Sequence, residues 1–95
     1  MTIYIRALVD GDIILQESDA SSIKGYEDCA LVHNDKIWIV YDIPTGLLIV
    51  YGHTKKEALE NLYNKRIQME QARKTQLYQK RIKEFEEMKK LCLKL

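Results

Sequence analysis

The chain has 95 residues, 46% hydrophobic and 31% charged, with a net charge of +1. That length predicts a single domain with a small core of its own, and that composition excludes a wholly disordered chain. No apolar run approaches the ~18 residues a membrane-crossing helix needs. The opening MTIYIRALVDGD lacks the basic flank and apolar centre of an export signal. A cytoplasmic protein with reduced thiols at Cys29 and Cys92 is therefore expected.

The near-neutral total hides a split. Residues 1–53 hold three Lys/Arg against eight Asp/Glu, a net of −5, whereas residues 54–95 hold twelve against six, a net of +6. An acidic first half joined to a basic second half points to charged partners.

In chain order, the β-branched run TIYIRALV, the turn DGD and then IILQE predict a hairpin of strands about 2–9 and 12–17. SDASSIKGYED reads as a loop. CALVH, ND and KIWIVYD predict a strand, a turn and a strand. IPTG is a turn in which Pro44 presets the first corner, and LLIVYG is the last strand. Five strands at most are expected, forming one antiparallel meander. Thr54, with Glu57 three residues on, is a capping box that opens a helix. Nothing obvious breaks it before Leu95. A continuous helix over 54–95 would be about 60 Å long, against about 20 Å for strands of this length. The expected fold is thus α+β: one domain over 1–95, an acidic sheet over 1–53 and one long basic helix over 54–95.

Leu59, Leu62, Tyr63 and Ile67 form a stripe expected to lie on the sheet, with Ala58 at its edge. A polar stretch follows, marking where the helix leaves the sheet. Leu77, Tyr78, Ile82, Phe85, Met88, Cys92 and Leu95 then form a second stripe. The distal segment 77–95 is read as an association segment. Pairing with a second copy as a short coiled coil is the first expectation. Folding back near residues 70–76 and docking on a different protein are the others.

The candidate electrostatic contacts are Lys65, Arg73, Lys74, Lys80, Arg81 and Lys83, cations along the helix that can follow phosphates or an acidic protein surface. Asp10 and Asp12, in the acidic half, are the alternative, because clustered acids can occupy a basic groove in place of phosphates. Cys29, His33, His53 and Cys92 lack the close pairing of zinc ligands. No nucleophile elbow, phosphate-cradling glycine loop or dinucleotide fingerprint is present. No enzyme, cofactor or metal is expected.

Residues 36–67, KIWIVYDIPTGLLIVYGHTKKEALENLYNKRI, resemble the HicB-type antitoxin module. That module runs strand, Pro/Gly turn, strand, then G-x-T-x-E-E-A-L-x-N into a helix. Here the match is GHTKKEALEN, carried by Gly52, Thr54, Glu57, Ala58, Leu59 and Asn61. The resemblance implies sheet-plus-helix packing and an antitoxin that neutralises a partner toxin. The long basic helix departs from the family pattern. In general appearance, without a shared motif, the chain also looks like the small phage-encoded inhibitors typified by anti-CRISPR proteins. The leading expectation is a non-enzymatic inhibitor, phage or mobile-element encoded and acting in the host cytoplasm. It would block a larger nucleic-acid-handling complex as a homodimer through its C-terminal helix. Nucleic-acid binding by the basic helix and HicB-like antitoxin action are the alternatives.

Overall fold

The computed structural model describes the backbone of residues 1–93 and the side chains of residues 1–91. Cys92 and Leu95 of the second stripe, and Lys94, lie outside the residues whose side chains are described. The fold is α+β, with six antiparallel strands in two sheets and two helices.

Strands β1 (Thr2–Val9) and β2 (Asp12–Asp19) form a two-stranded sheet in unbroken register from Thr2↔Asp19 to Val9↔Asp12. Asp10 and Gly11 between them both have positive φ, 51° and 84°. A tight two-residue turn needs this, and an Asp-Gly pair supplies it cheaply. At the other end, Ala20 N–H donates to Met1 O and the terminal amine donates to Ala20 O.

The second sheet has the order β3-β4-β5-β6, with β3 Ser21–Ile23, β4 Tyr26–Asn34, β5 Ile37–Asp42 and β6 Leu48–Gly52. The expected loop over 18–28 is corrected. It contains β3, the Lys24–Gly25 turn and the start of β4. Ser21 and Ser22 show no apolar alternation, because β3 is an edge strand held by its backbone rather than by burial. The single meander is corrected for the same stretch, since the chain changes sheets at Ala20.

Alternation along β4 and β5 builds two cores, one on each face of the second sheet. Ala30, Val32, Ile39 and Tyr41 face Ile3 and Ile5 of the hairpin. Cys29, Leu31 and Val40 face Ala58 and Leu62 of α1 (Lys55–Arg73), with Met69 packed at the margin. Gly52 permits this close approach, because a Cβ there would lie 2.5 Å from the Ala58 nitrogen. Thr54 caps α1 as expected, its hydroxyl accepting from Glu57 N–H at 3.0 Å. The first apolar stripe is corrected in phase. Ala58, Leu62 and Met69 face the sheet, while Tyr63 and Ile67 face solvent. The Arg66 guanidinium covers the Tyr63 ring at 3.8 Å.

The single long helix is corrected as well. α1 ends at Arg73 and α2 runs Gln76–Leu93. Lys74 N–H donates to Gln71 O and Thr75 N–H to Ala72 O, tightening the last turn. The Thr75 hydroxyl donates to Ala72 O and accepts from Tyr78 N–H, so one residue closes α1 and caps α2. The longest dimension is 38 Å, far short of a continuous 54–95 helix. α2 crosses the end of the sheet stack and packs Phe85 over Gly46, where φ is +69° and a Cβ would lie 2.5 Å from Phe85 Cε1.

Candidate functional site

Two features stand out on this frame, one closed and one open. The closed one lies where β5 ends, at Asp42. This carboxylate is 4% exposed. It accepts from the Thr45 hydroxyl at 2.6 Å, from the Tyr78 hydroxyl at 3.0 and 3.2 Å, and from Arg73 Nη2. Arg73 also reaches Asp28 at 3.2 Å and Cys29 Sγ at 3.6 Å. Its Nε is buried without a partner, which offsets part of the gain. Arg6 makes the matching tie from the hairpin. Its Nε donates to Thr45 O and its Nη2 to Arg81 O, both at 2.8 Å. Its own N–H donates to Gly46 O at 3.0 Å, and its guanidinium stands 5.5 Å from the Phe85 ring centre.

The electrostatics of this junction describe fixing rather than reaction. Burial, reinforced by the Asp42 charge, pushes the Tyr78 phenol well above its ordinary pKa. Burial likewise raises the Cys29 thiol, the reverse of what an activated thiolate needs. Burial works against the Arg73 cation, yet its hydrogen bond and charge pairing with Asp42 prevail and its pKa rises. A depression of about 310 Å³ lies beside the junction, lined by Leu47, Ile49, Met69, Arg73 and Tyr78 among others. Asp42, Thr45, Arg73 and Tyr78 are already joined to one another, which leaves the carboxylate no free acceptor position for a ligand. Among the described residues, no group of three or more His, Cys, Asp and Glu could hold a metal ion, and no helix is long and apolar enough to cross a membrane.

The open feature is the far half of the hairpin. Leu8 is 74% exposed and Ile13 63%, and they stand opposite one another in register. Val9 and Ile14 are exposed on the opposite face of the hairpin. Asp10 and Asp12 rim this tip, and Glu17 and Asp19 are exposed further along β2. A shallow groove of about 460 Å³ runs from the tip to α2, lined by Arg6, Leu8, Ile13, Leu47, Arg81 and Glu84.

The nominated residues fall as follows. Phe85 is 1% exposed. Tyr78 bonds Asp42, Ile82 and Met88 are half-buried, and Leu77 is 58% exposed. The face expected to meet another chain is largely the face by which α2 packs on its own sheet. Among the cations, Arg73 is held by Asp28 and Asp42, and Arg81 Nη1 donates to both oxygens of Glu84 at 2.9 and 2.8 Å. Lys65 Nζ lies 3.5 Å from Ile49 O. Lys74, Lys80 and Lys83 are exposed. Arg6, Asp42 and Thr45 were not nominated from sequence. The available signal was an acid ending the apolar run IWIVYD, immediately before a Pro/Gly turn. Comparison with models of known protein families, with curated proteins and with solved structures finds no match to this chain.

Proposed function

We propose that this is a non-enzymatic binding protein that docks on a larger protein through its β1–β2 hairpin, in the manner of a small inhibitor. The observation that carries this reading is the pair Leu8 and Ile13, exposed side by side on one face of the hairpin, with Val9 and Ile14 exposed on the other, around a turn rimmed by Asp10 and Asp12. Scattered exposed apolar residues need no explanation, but an apolar centre with a charged rim has the composition of an interface. The acids give the reading its finer form. A hairpin with exposed acids suits a basic groove of the kind that handles nucleic acid, with carboxylates standing where phosphates would. The docking element thereby moves from the C-terminal helix to the hairpin, and the acidic alternative, Asp10 and Asp12, becomes the leading one.

The test compares the wild-type protein with the Leu8→Ser/Ile13→Ser double variant, each immobilised and challenged with the same cell extract. The reading expects a stoichiometric protein retained by the first and lost by the second. Identical sets from both would sink it. Direct nucleic-acid binding by Lys74, Lys80 and Lys83 is the second reading, favoured by their exposure on and beside α2. It predicts affinity for a DNA duplex that falls steeply with salt and is indifferent to the Leu8→Ser/Ile13→Ser change.

A further inference from the structure

We infer that the outer edge of β2 is a strand-addition site for an extended polypeptide segment with basic side chains towards its ends and apolar ones between them. This rests on the reading of the hairpin as the docking surface, and it names the mode of docking and the chemistry of the partner segment.

The long edges of the two sheets are treated unequally, the remaining edge, β3, being only three residues long. β2 pairs with β1 alone. The other side of β1 is met by the turn after β5, through Arg6 N–H on Gly46 O. In the second sheet, the outward carbonyls of edge strand β6 are covered, Tyr51 O by Asn61 Nδ2 at 2.8 Å and Ile49 O by Lys65 Nζ at 3.5 Å. Among the described residues, no backbone hydrogen bond from another element reaches the outer side of β2 between Asp12 and Asp19. Proteins usually blunt such an edge with Lys, Pro or a bulge. β2 has neither Lys nor Pro, and its register with β1 runs eight pairs without a shift. An edge that is long, regular and free of such hydrogen bonds is the template that strand addition uses, although α2 passes close to β2.

Charge chooses the occupant. β2 is DIILQESD, with three acids and no base. The one antiparallel register that pairs all eight residues with a second copy sets Asp12 against Asp19 at both ends. Like charges directly opposite one another on a sheet are destabilising, so a copy of this chain is the wrong partner. A segment with Lys or Arg across from Glu17 and the terminal aspartates turns each repulsion into attraction. Ile13, Ile14 and Leu15 ask for apolar neighbours between them.

The test uses labelled, end-capped peptides of about eight residues, matched to the length of β2, and reads fluorescence anisotropy. One, the Lys/Val peptide, is Lys-Thr-Lys-Thr-Val-Val-Val-Lys, which in antiparallel pairing sets its lysines across from Asp19, Glu17 and Asp12 and its valines across from Leu15, Ile14 and Ile13; a second, the Glu/Val peptide, has Glu in place of each Lys. Two more are the Lys/Val peptide N-methylated at alternate residues, in each of the two phases. The expected result is binding of the Lys/Val peptide and none of the Glu/Val peptide. One methylation phase should abolish binding and the other leave it nearly intact, because only alternate amides of an added strand point at β2. The Asp12→Lys/Glu17→Lys variant should bind the Lys/Val peptide about tenfold more weakly or worse. Equal binding in both methylation phases, or an unchanged affinity in the charge-reversed variant, overturns the inference. If the Leu8→Ser/Ile13→Ser protein still loses its captured partner in that event, docking by the hairpin stands and only strand addition falls.

Discussion

The junction at Asp42 and the tip of the β1–β2 hairpin reverse the usual allocation of side chains. At the junction, charged and polar groups are buried and each carboxylate oxygen has a donor. At the tip, leucine, valine and isoleucine stand in solvent beside aspartates. A buried charge is tolerated only when its partners are in place, so the junction is informative about architecture: it fixes where α1 ends and how α2 returns. Exposed aliphatic residues contribute little to the fold that displays them, so the tip is informative about encounters with other molecules.

The largest effect should come from Phe85→Asp. A carboxylate there forfeits the packing of the ring under Gly46, with Arg6 and Lys89 near enough to offset only part of the cost, and the loss should be at least the ~3–5 kcal/mol of truncating a buried Phe to Ala. Urea denaturation of the whole chain reads it. A variant that keeps wild-type stability and loses only self-association would return α2 to the role of a pairing helix. Asp42→Ala should cost about 3–5 kcal/mol, since it strands the Arg73 cation at a half-buried site; calorimetry shows whether both helices unfold together. Tyr78→Phe should cost about 1–2 kcal/mol at neutral pH.

The same tyrosine makes a prediction about pH. Its folded pKa is raised from an ordinary 10.0. Its contribution is therefore intact below about pH 10 and is lost as the pH climbs further, because the unfolded chain gives up its proton first. Tyr78→Phe should flatten that alkaline limb in a urea-midpoint series, leaving the parts due to Cys29 and Tyr41, which are shifted the same way by burial. At the acid end, Arg81 lowers the Glu84 pKa from 4.5. That small contribution is present above the ordinary value and fades below it.

Thr75→Ala, which removes the hydroxyl shared by the two helices, should cost about 1 kcal/mol. A smaller helical signal in circular dichroism would accompany it if α2 frays. The smallest effect on stability, within about 0.5 kcal/mol, belongs to Leu8→Ser/Ile13→Ser. A large destabilisation there would mean the tip belongs to the core, and the contrast with the junction would collapse.

The parts of this fold that were legible in the sequence are those set by neighbours a few residues apart. Asp10-Gly11 announces its turn and Thr54 with Glu57 announces the helix start. The apolar run IWIVY announces a strand. The hidden parts depend on groups far apart in the chain. The polar stretch NKRIQMEQARKTQLYQKR looked like a helix leaving its sheet. It is where the helix ends, with Arg73 and Tyr78 turned inward onto an acid more than thirty residues earlier. Thr75 breaks the helix with a hydroxyl cap, in a stretch that holds neither glycine nor proline. Of the candidate site, the tip was visible as acids in turns. Its aliphatic residues were absorbed into a strand pattern, because nothing local says that a hairpin reaches past the sheet it packs on.

Arg6 must wait for its partner. The guanidinium that joins β1 to α2 bonds a carbonyl 75 residues later in the chain. At about 5–20 residues per second, synthesis takes roughly 4–15 s to cover that distance. Throughout that interval its end of the sheet stack is unsealed, and a two-stranded hairpin by itself is marginal at best. The tie that steadies the hairpin can form only once α2 has been made.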